Sequence, residues 1–218
     1  RYIPGGISSI NRATQPNIAF VRGEGARLWD AEGNEYIDYH GAFSPQFLGY
    51  NHPEISAAVK KTIGGGPELW GSGATELEGR LGELICTHIP WVEKVAVFNT
   101  GSEATAQAIR LARAATGRDH VIVMQGGYNG WHNDVALNLM TPLDQLGPRV
   151  SPGEYDRFPI SAGIPEPHLQ LIHAINFNDL DSVRYVCEKY PVAALISEPI
   201  LQNIGLVKPL AGYLEGLR

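Results

Sequence analysis

The sequence predicts an α/β fold in which a parallel or mainly parallel sheet carries helices on both faces, preceded by a small β-rich lobe. Strand-like and helix-like segments alternate along residues 94–196, which is the pattern of βαβ units. The run Val121–Met124 is short and wholly apolar, as in the middle of a parallel sheet. The 25 glycines and 15 prolines among 218 residues indicate many turns.

Length and charge exclude several classes of protein. A chain of 218 residues can bury a core without disulfides or metals. It has 17 basic against 23 acidic residues, a net charge of −6 and no basic stripe, so we expect no nucleic-acid partner. No apolar run reaches the roughly 20 residues that span a bilayer, so we expect no membrane partner.

The cysteines and the chain ends lead to two further expectations. Cys86 and Cys187 lie far apart in helix-like stretches, and we interpret them as buried thiols of a reducing compartment. We therefore expect a cytoplasmic protein. The chain begins at Arg1 rather than Met and ends at Arg218 within a helix-like segment, so both ends look cut.

The N-terminal segments predict a β-meander followed by two helices. Short strand-like runs separated by Gly and Asn cover residues 20–39, which is a hairpin signal. Pro53 opens a predicted helix, and the sequence Thr75-Glu76-Leu77-Glu78 has the form of a capping box that starts a second one. We divide the chain into residues 1–52, part of a small lobe, and residues 53–218, part of a large α/β domain.

The remaining predicted elements alternate between strand and helix. In chain order they are a strand over 94–98, a helix over 102–116, a strand over 121–124, a long surface excursion over 141–169, a strand over 169–175, a helix capped by Asn178 and a strand over 192–196. Small and apolar residues lie on one face of the predicted helix over 102–116, namely Ala104, Ala108, Leu111, Ala112 and Ala115. These elements build the predicted sheet and its helical layers.

The turn after the first of these strands has the composition of a phosphate site. Ligands of such sheets bind beyond the carboxyl ends of the strands, and the segment Asn99–Ala104 follows the strand over 94–98. Gly101 would let the backbone approach a ligand closely, and Ser102 would add a hydroxyl to the free amides of a helix N-terminus. A Ser helix cap after a tight turn is the simpler interpretation of this motif taken alone.

Two later strand ends carry an aromatic ring and polar groups. The segment Gly126–His132 places Tyr128 at the mouth of the second of these strands, where a flat ring could stack on it. Glu198 and Asn203 follow the last strand and suit hydrogen bonds to a polar heterocycle. Taken alone, Tyr128 also fits an ordinary glycine-rich turn, Glu198 a salt bridge and Asn203 a turn. Together the three strand ends describe one site for a phosphate, a stacked ring and polar ring substituents.

This combination resembles the class III aminotransferases, pyridoxal 5'-phosphate (PLP) enzymes of fold type I, the aspartate-aminotransferase-like fold. The resemblance is to the branch that contains glutamate-1-semialdehyde 2,1-aminomutase, and it covers essentially the whole chain as the N-terminal half of that family. The segments that carry the resemblance are Pro4–Arg12, Leu28–Tyr39, Leu48–Pro53, Asn99–Ala104 and Ala108–Arg113.

The resemblance implies a role for each residue at the strand ends. Gly101 and Ser102 would hold the phosphate of PLP, and Tyr128 would stack on its pyridine ring. Asn203 would hydrogen-bond near the phenolic oxygen of the ring, and Glu198 would support that end of the site.

The resemblance also implies groups that bind the substrate. Arg12 would pair with a substrate carboxylate, a task that suits the planar guanidinium group; without the resemblance, Arg12 is interpreted as a solvated surface charge. Trp70 and the loop over residues 71–73 would line the pocket. A neighbouring subunit often contributes to this pocket in the family, so we expect a homodimer.

The sequence departs from the family pattern at one position, and two family residues are not found in it. Asn129 stands where the family usually has a His after the stacking Tyr. The Lys that forms the Schiff base and the Asp that keeps the pyridine nitrogen protonated are expected beyond Arg218. No lysine of this chain sits in a motif that matches the Schiff-base lysine, so we expect no catalytic residue within it.

The resemblance implies an aminotransferase that moves an amino group between an amino acid or amine and a keto acid. One alternative is glutamate-1-semialdehyde 2,1-aminomutase, which moves the amino group within one molecule. Against this alternative, the segments Asn129–His132 and Ile200–Gln202 look more like the general aminotransferases of the branch. An alternative of another class is a non-catalytic, half-length protein that binds PLP or a phosphorylated ligand.

Overall fold

The chain divides into two compact units, Arg1–Val95 and Ala96–Arg218. The structure is a computed structural model that describes residues 2–9, 12–65 and 72–218. The domain boundary predicted from the sequence lies after residue 52, and that assignment of domains stays a prediction. Each unit has its own sheet.

An antiparallel meander opens the first unit. Its strands are β1 (Phe20–Glu24), β2 (Arg27–Asp30) and β3 (Glu35–Ile37), paired in the order β1-β2-β3. The turn between β2 and β3 forms around the buried carboxylate of Asp30, which accepts hydrogen bonds from the backbone amides of Glu32 and Asn34 and from the Tyr36 hydroxyl. The meander predicted over residues 20–39 is confirmed.

Two helices follow the meander, α1 (Pro53–Gly65) and α2 (Glu76–His88). Thr75 caps α2: its hydroxyl accepts from the amide of Glu78 at 3.3 Å, and the Glu78 carboxylate accepts from the amide of Thr75 at 3.1 Å. This reciprocal pair satisfies two backbone donors that a helix start otherwise leaves free. The capping box read from the sequence is confirmed.

The second unit is built on a parallel sheet of three strands, with β4 (His120–Met124) in the centre between β5 (Ile172–Ile175) and β6 (Val192–Ile196). In the register, Val121 pairs with Ile172 on one side and with Ala194 on the other. The central strand is apolar because both of its faces are covered. The parallel sheet is confirmed.

The two faces of β4 are covered by different helices. Helix α3 (Gly101–Thr116) places Ile109 in a core cluster with Val121 and Val123, and α6 (Leu180–Lys189) places Val186 in a second cluster with Ile122 and Met124. Side chains alternate between the faces along a strand, so odd-numbered and even-numbered residues of β4 enter different clusters. Three short helices complete the unit: α4 (Leu143–Leu146), α5 (Glu166–Leu169) and α7 (Tyr213–Leu217).

Two predictions about the elements are wrong. Residues 94–98 form no strand, because no strand of the described residues pairs with them. The helix after β5 is capped by Asp179 rather than by Asn178; Asn178 has a φ of +65° and instead binds the backbone at Lys208 and Leu210. On α3, Leu111 is 70% exposed, whereas Ile109 is 2% exposed.

The surface excursion and the cysteines also differ from expectation. The segment over residues 141–169 contributes the buried side chains of Tyr155 and Leu169 to the core beside β5. Cys86 is half-buried and Cys187 is exposed, and neither forms a disulfide. In the part of the chain that the structure describes, no helix combines the length and the apolar character that crossing a membrane requires.

Candidate functional site

The first turn of α3 is organised by its own capping residues. Thr100 is the N-cap, and its hydroxyl accepts from the amide of Glu103 at 3.1 Å. The Glu103 carboxylate accepts in return from the amides of Asn99 and Thr100, at 2.9 and 3.0 Å. The alternative interpretation of Ser102 as the helix cap is therefore wrong, and its hydroxyl is left for another partner.

The amides of Gly101 and Ser102 are the free donors of this helix end. Nothing within the described residues accepts a hydrogen bond from either amide. A Cβ built on Gly101 meets no atom within 4 Å, so the space beside it is open. The aligned peptides of the 16-residue helix place a partial positive charge at this end. Two free amides, open space and positive potential suit an anion such as a phosphate.

A loop over residues 126–132 lies against this helix end. The Ser102 hydroxyl accepts a hydrogen bond from the backbone amide of Trp131 at 3.2 Å. Gly130 approaches so closely that a Cβ on it would lie 2.9 Å from Ser102 Oγ and 3.1 Å from Ser102 Cα. The contact therefore requires glycine at this position, which also has a φ of +124°.

Tyr128 lies on this loop, and the residue is 44% exposed. Its backbone amide donates to Glu198 Oε1 at 3.4 Å, and Glu198 Oε2 accepts from the amide of Gln202 at 3.0 Å. Glu198 has no ion-pair partner among the described residues, so its carboxylate binds backbone amides rather than a basic side chain. It thereby connects the segment after β6 to the segment after β4.

Asn203 makes a second connection between these segments. Its side-chain nitrogen donates to the carbonyl of Gly126 at 2.9 Å and lies 3.4 Å from the carbonyl of Leu139. The structure thus brings five predicted site residues to the carboxyl ends of β4 and β6 and the start of α3: Gly101, Ser102, Tyr128, Glu198 and Asn203. Their roles toward a ligand stay predictions.

The two residues predicted for the substrate belong to the first unit. Arg12 is exposed. Trp70 lies outside the described residues, and so does the first residue of the 71–73 loop. Their roles also stay predictions.

Sequence reasoning missed a pair of polar residues behind the loop. The Thr105 hydroxyl lies 2.7 Å from the carbonyl oxygen of Asn129 and 3.0 Å from Nε2 of His132. Thr105 is three residues after Ser102, so the helical period alone places both on one face and could have indicated it. No sequence pattern indicates His132, because its partner is 27 residues away.

His132 lies beside a half-buried pair of charged residues, Asp134 and Arg113. Its Nδ1 lies 3.9 Å from Asp134, and Asp134 Oδ1 lies 3.0 Å from Nη2 of Arg113. Burial lowers the pKa of His132 below its usual value; Asp134 opposes this shift and Arg113 adds to it. The imidazole is therefore neutral near pH 7.

A family model and curated relatives match this chain. The model described as Aminotransferase class-III matches residues 9–218. A glutamate-1-semialdehyde 2,1-aminomutase of Syntrophomonas wolfei is 39% identical over 223 residues, which cover 100% of this chain and 49% of that protein. The protein of the same name from Methanothrix thermoacetophila is 38% identical over 219 residues, which cover 100% of this chain and 48% of that protein. The chain thus spans about half the length of the curated relatives it matches.

Solved structures resemble the fold closely. An omega-transaminase from Sphaerobacter thermophilus superposes with a TM-score of 0.89 at 28% identity, over 99% of this chain and 48% of that one. A transaminase with PLP bound has a TM-score of 0.86 at 27% identity, over 100% of this chain and 49% of the other. A glutamate-1-semialdehyde aminomutase from Pseudomonas aeruginosa PAO1 has a TM-score of 0.76 at 24% identity, over 92% of this chain and 42% of that one. At that identity the last similarity shows the fold alone.

Proposed function

Because this chain belongs to the class III aminotransferase family, we propose that it forms the phosphate-binding and ring-binding part of an enzyme that transfers an amino group between an amino acid or amine and a keto acid. Pyridoxal 5'-phosphate is the cofactor that the family and the transaminase structure with PLP bound support. The observation that carries the proposal is the pair of free amides at the start of α3, beside the loop that holds Tyr128.

Each residue of the site then has a physical task. The amides of Gly101 and Ser102 would bind the phosphate, because no described residue accepts from them and they lie at the positive end of α3. The half-exposed ring of Tyr128 would stack on the pyridine ring. Glu198 and Asn203 would hold the loop in place through the backbone bonds already described. When bound, PLP would supply an electron sink for the substrate's reacting bonds.

Arg12 and Trp70 are the residues proposed for binding of the substrate. Arg12 is exposed and carries a guanidinium group that could pair with a carboxylate in two parallel hydrogen bonds. Trp70 would contribute an apolar wall. The whole protein would act as a homodimer, as the resemblance to the family implies.

Transfer between two molecules is the first candidate reaction. The solved structures that support it are transaminases that match over at least 99% of this chain at 27–28% identity. The second candidate is transfer within one molecule, and the names of the curated relatives favour it, since relatives at 38–39% identity are glutamate-1-semialdehyde 2,1-aminomutases.

The experiment supplies PLP to the full-length protein and offers two sets of substrates. In the first set, amino acids and amines are tested with and without pyruvate. In the second set, glutamate-1-semialdehyde is tested without any keto acid. Amino transfer that depends on pyruvate supports the first candidate, and product formed from the semialdehyde alone supports the second.

The same experiment tests the alternative of another class. A protein that retains PLP through gel filtration but catalyses neither reaction would favour the non-catalytic binding protein. A protein that retains no PLP contradicts the proposal altogether.

A further inference from the structure

The loop that carries Tyr128 is attached to α3 by two side chains that have no task in the proposed cofactor site. These are Thr105, on the second turn of α3, and His132, at the end of the loop. Both are partly buried, so neither is explained as a solvated surface group.

The geometry around the Thr105 hydroxyl assigns its proton. The oxygen lies 2.7 Å from the Asn129 carbonyl oxygen, and 3.0 and 3.2 Å from the carbonyl oxygens of Gly101 and Ser102. A hydroxyl has one proton to donate, and the shortest distance assigns it to Asn129. Nε2 of His132, 3.0 Å away, must then be the donor to the hydroxyl oxygen.

This assignment agrees with the charge state of the imidazole. Burial lowers the pKa of His132, so the ring is neutral near pH 7 and carries a single proton. That proton lies on Nε2 if the ring donates to Thr105. The result is a directed chain of hydrogen bonds from His132 to Thr105 to the carbonyl of Asn129, the residue next to Tyr128.

The hydrogen bonds from His132 and Thr105 hold the loop beside two further close contacts with α3. Gly130 rests on Ser102 so closely that even a methyl group would overlap it. The amide of Trp131 is held by the Ser102 hydroxyl at 3.2 Å. The loop is thus held at its Asn129, Gly130 and Trp131 backbone by the helix face that begins with the proposed phosphate donors.

We propose that Thr105 and His132 are positioning residues that hold the Tyr128 loop on α3 and so set the position of the stacking ring relative to the phosphate-binding end of the helix. The proposal rests on the proposed function. The proposal about Thr105 and His132 goes beyond that function because neither residue would touch the cofactor. Each acts through the backbone of the loop.

The test compares matched variants of the full-length protein in two measurements. Thr105→Val removes the hydroxyl at nearly constant shape, whereas Thr105→Ser keeps it. The control is Thr62→Val in α1, where the hydroxyl binds the carbonyl of Ala58 in its own helix and no other described residue. The first measurement is amide hydrogen exchange of residues 126–131 in the PLP-free protein, and the second is the affinity for PLP by equilibrium dialysis.

The expected result is a parallel change in both measurements. Thr105→Val raises the exchange rate of the loop amides and weakens PLP binding by about tenfold, the loss expected for one partly buried hydrogen bond and its unpaired carbonyl. Thr105→Ser and Thr62→Val stay within about twofold of the unmodified protein in both. A second pair, His132→Gln against His132→Leu, repeats the test if Thr105→Val fails to fold, because Gln retains an N–H donor and Leu does not.

Two outcomes overturn the proposal and are distinguishable from a failure of the proposed function. If the unmodified protein binds PLP and Thr105→Val leaves its affinity unchanged, the two residues do not position the stacking ring. Faster exchange of the loop amides without a loss of affinity for PLP leads to the same conclusion. The hydrogen bonds of Thr105 would then stabilise the loop without affecting PLP binding. If the unmodified protein binds no PLP, the proposed function fails first, and the inference fails with it.

Discussion

Nδ1 of His120 lies 2.9 Å from Nε2 of His173, at the start of two neighbouring parallel strands. His173 is fully buried, and its other nitrogen lies 2.5 Å from the carboxylate of Glu154. That carboxylate also accepts from the Tyr190 hydroxyl at 3.0 Å. A row of ionisable groups thus lies at the amino ends of the strands, opposite the edge that carries the candidate site.

The row predicts a loss of stability on acidification. Burial and the neighbouring charge of His173 lower the pKa of His120 below 6.5, so the unfolded chain takes up this proton at a higher pH than the folded protein. Stability therefore falls as the pH drops through about 6.5. The pKa of Glu154 is also lowered: burial would raise it, but the hydrogen bonds from His173 and Tyr190 and the charges of His173 and Arg157 together outweigh that effect. Its contribution is present above about 4.5 and is lost as the pH falls further.

Urea unfolding of the full-length protein between about pH 7.5 and 5.5 measures the histidine part of this effect. We expect the free energy of unfolding to fall over this range, and to fall less in His120→Asn, which keeps a polar atom near the position of Nδ1. The exposed His88 offers the control, since His88→Asn should leave the slope unchanged. Equal slopes for the unmodified protein and His120→Asn would contradict the prediction.

Ser102→Ala should weaken PLP binding by about threefold to tenfold, because it removes the hydroxyl that accepts from Trp131 and stands beside the free amides. The backbone donors of the helix remain, so binding is reduced and not abolished. Equilibrium dialysis against PLP measures the change. Ser161→Ala, at an exposed loop position, is the matched control and should bind as the unmodified protein does. An unchanged affinity for PLP in Ser102→Ala would show that the Ser102 hydroxyl does not contribute to PLP binding.

Gly130→Ala should destabilise the protein more than Gly163→Ala. Both glycines have positive φ, +124° and +94°. An alanine at either position is therefore destabilised by backbone strain of about 1–3 kcal/mol. Only at Gly130 does the added Cβ also overlap Ser102, whereas at Gly163 it meets nothing within 4 Å. We expect an additional loss of about 1–3 kcal/mol in the free energy of unfolding. Equal losses in urea titrations of the two variants would show that the loop does not rest on α3.

Asp179→Ala should lower the free energy of unfolding by about 2 kcal/mol. The buried carboxylate caps α6 by accepting from the amide and hydroxyl of Ser182, at 3.0 and 2.9 Å. Asp181→Ala is the control two residues later, because Asp181 is exposed and, among the described residues, pairs with Arg184 alone at the surface. Thermal or urea unfolding checks the difference. A loss in Asp181→Ala as large as in Asp179→Ala would contradict the cap as its cause.

Local signals in the sequence were sufficient wherever the physical cause is local. The capping box at Thr75 and Glu78 is a contact across one helical turn, so the residue spacing alone predicts it. The run over residues 121–124 is apolar enough to predict a strand that is covered on both faces. Turn residues likewise indicate the meander around Asp30.

Local signals failed to predict the structure where it depends on contacts between residues that are distant in the chain. The apolar composition of residues 94–98 suits a strand, but a strand exists only where a neighbour pairs with its backbone. Leu111 is as apolar as Ile109, yet only the orientation of α3 against β4 decides which of them is buried.

The sequence by itself determined the α/β class, the parallel sheet and the residues that the strand ends would present, because glycines, caps and apolar runs act through their immediate neighbours. Only the tertiary structure decided that the Ser102 hydroxyl binds the amide of Trp131. It also decided that Thr105 and His132 meet behind the Tyr128 loop. Those contacts join segments more than twenty residues apart, and their energy depends on distances that the packing of α3 against the sheet sets.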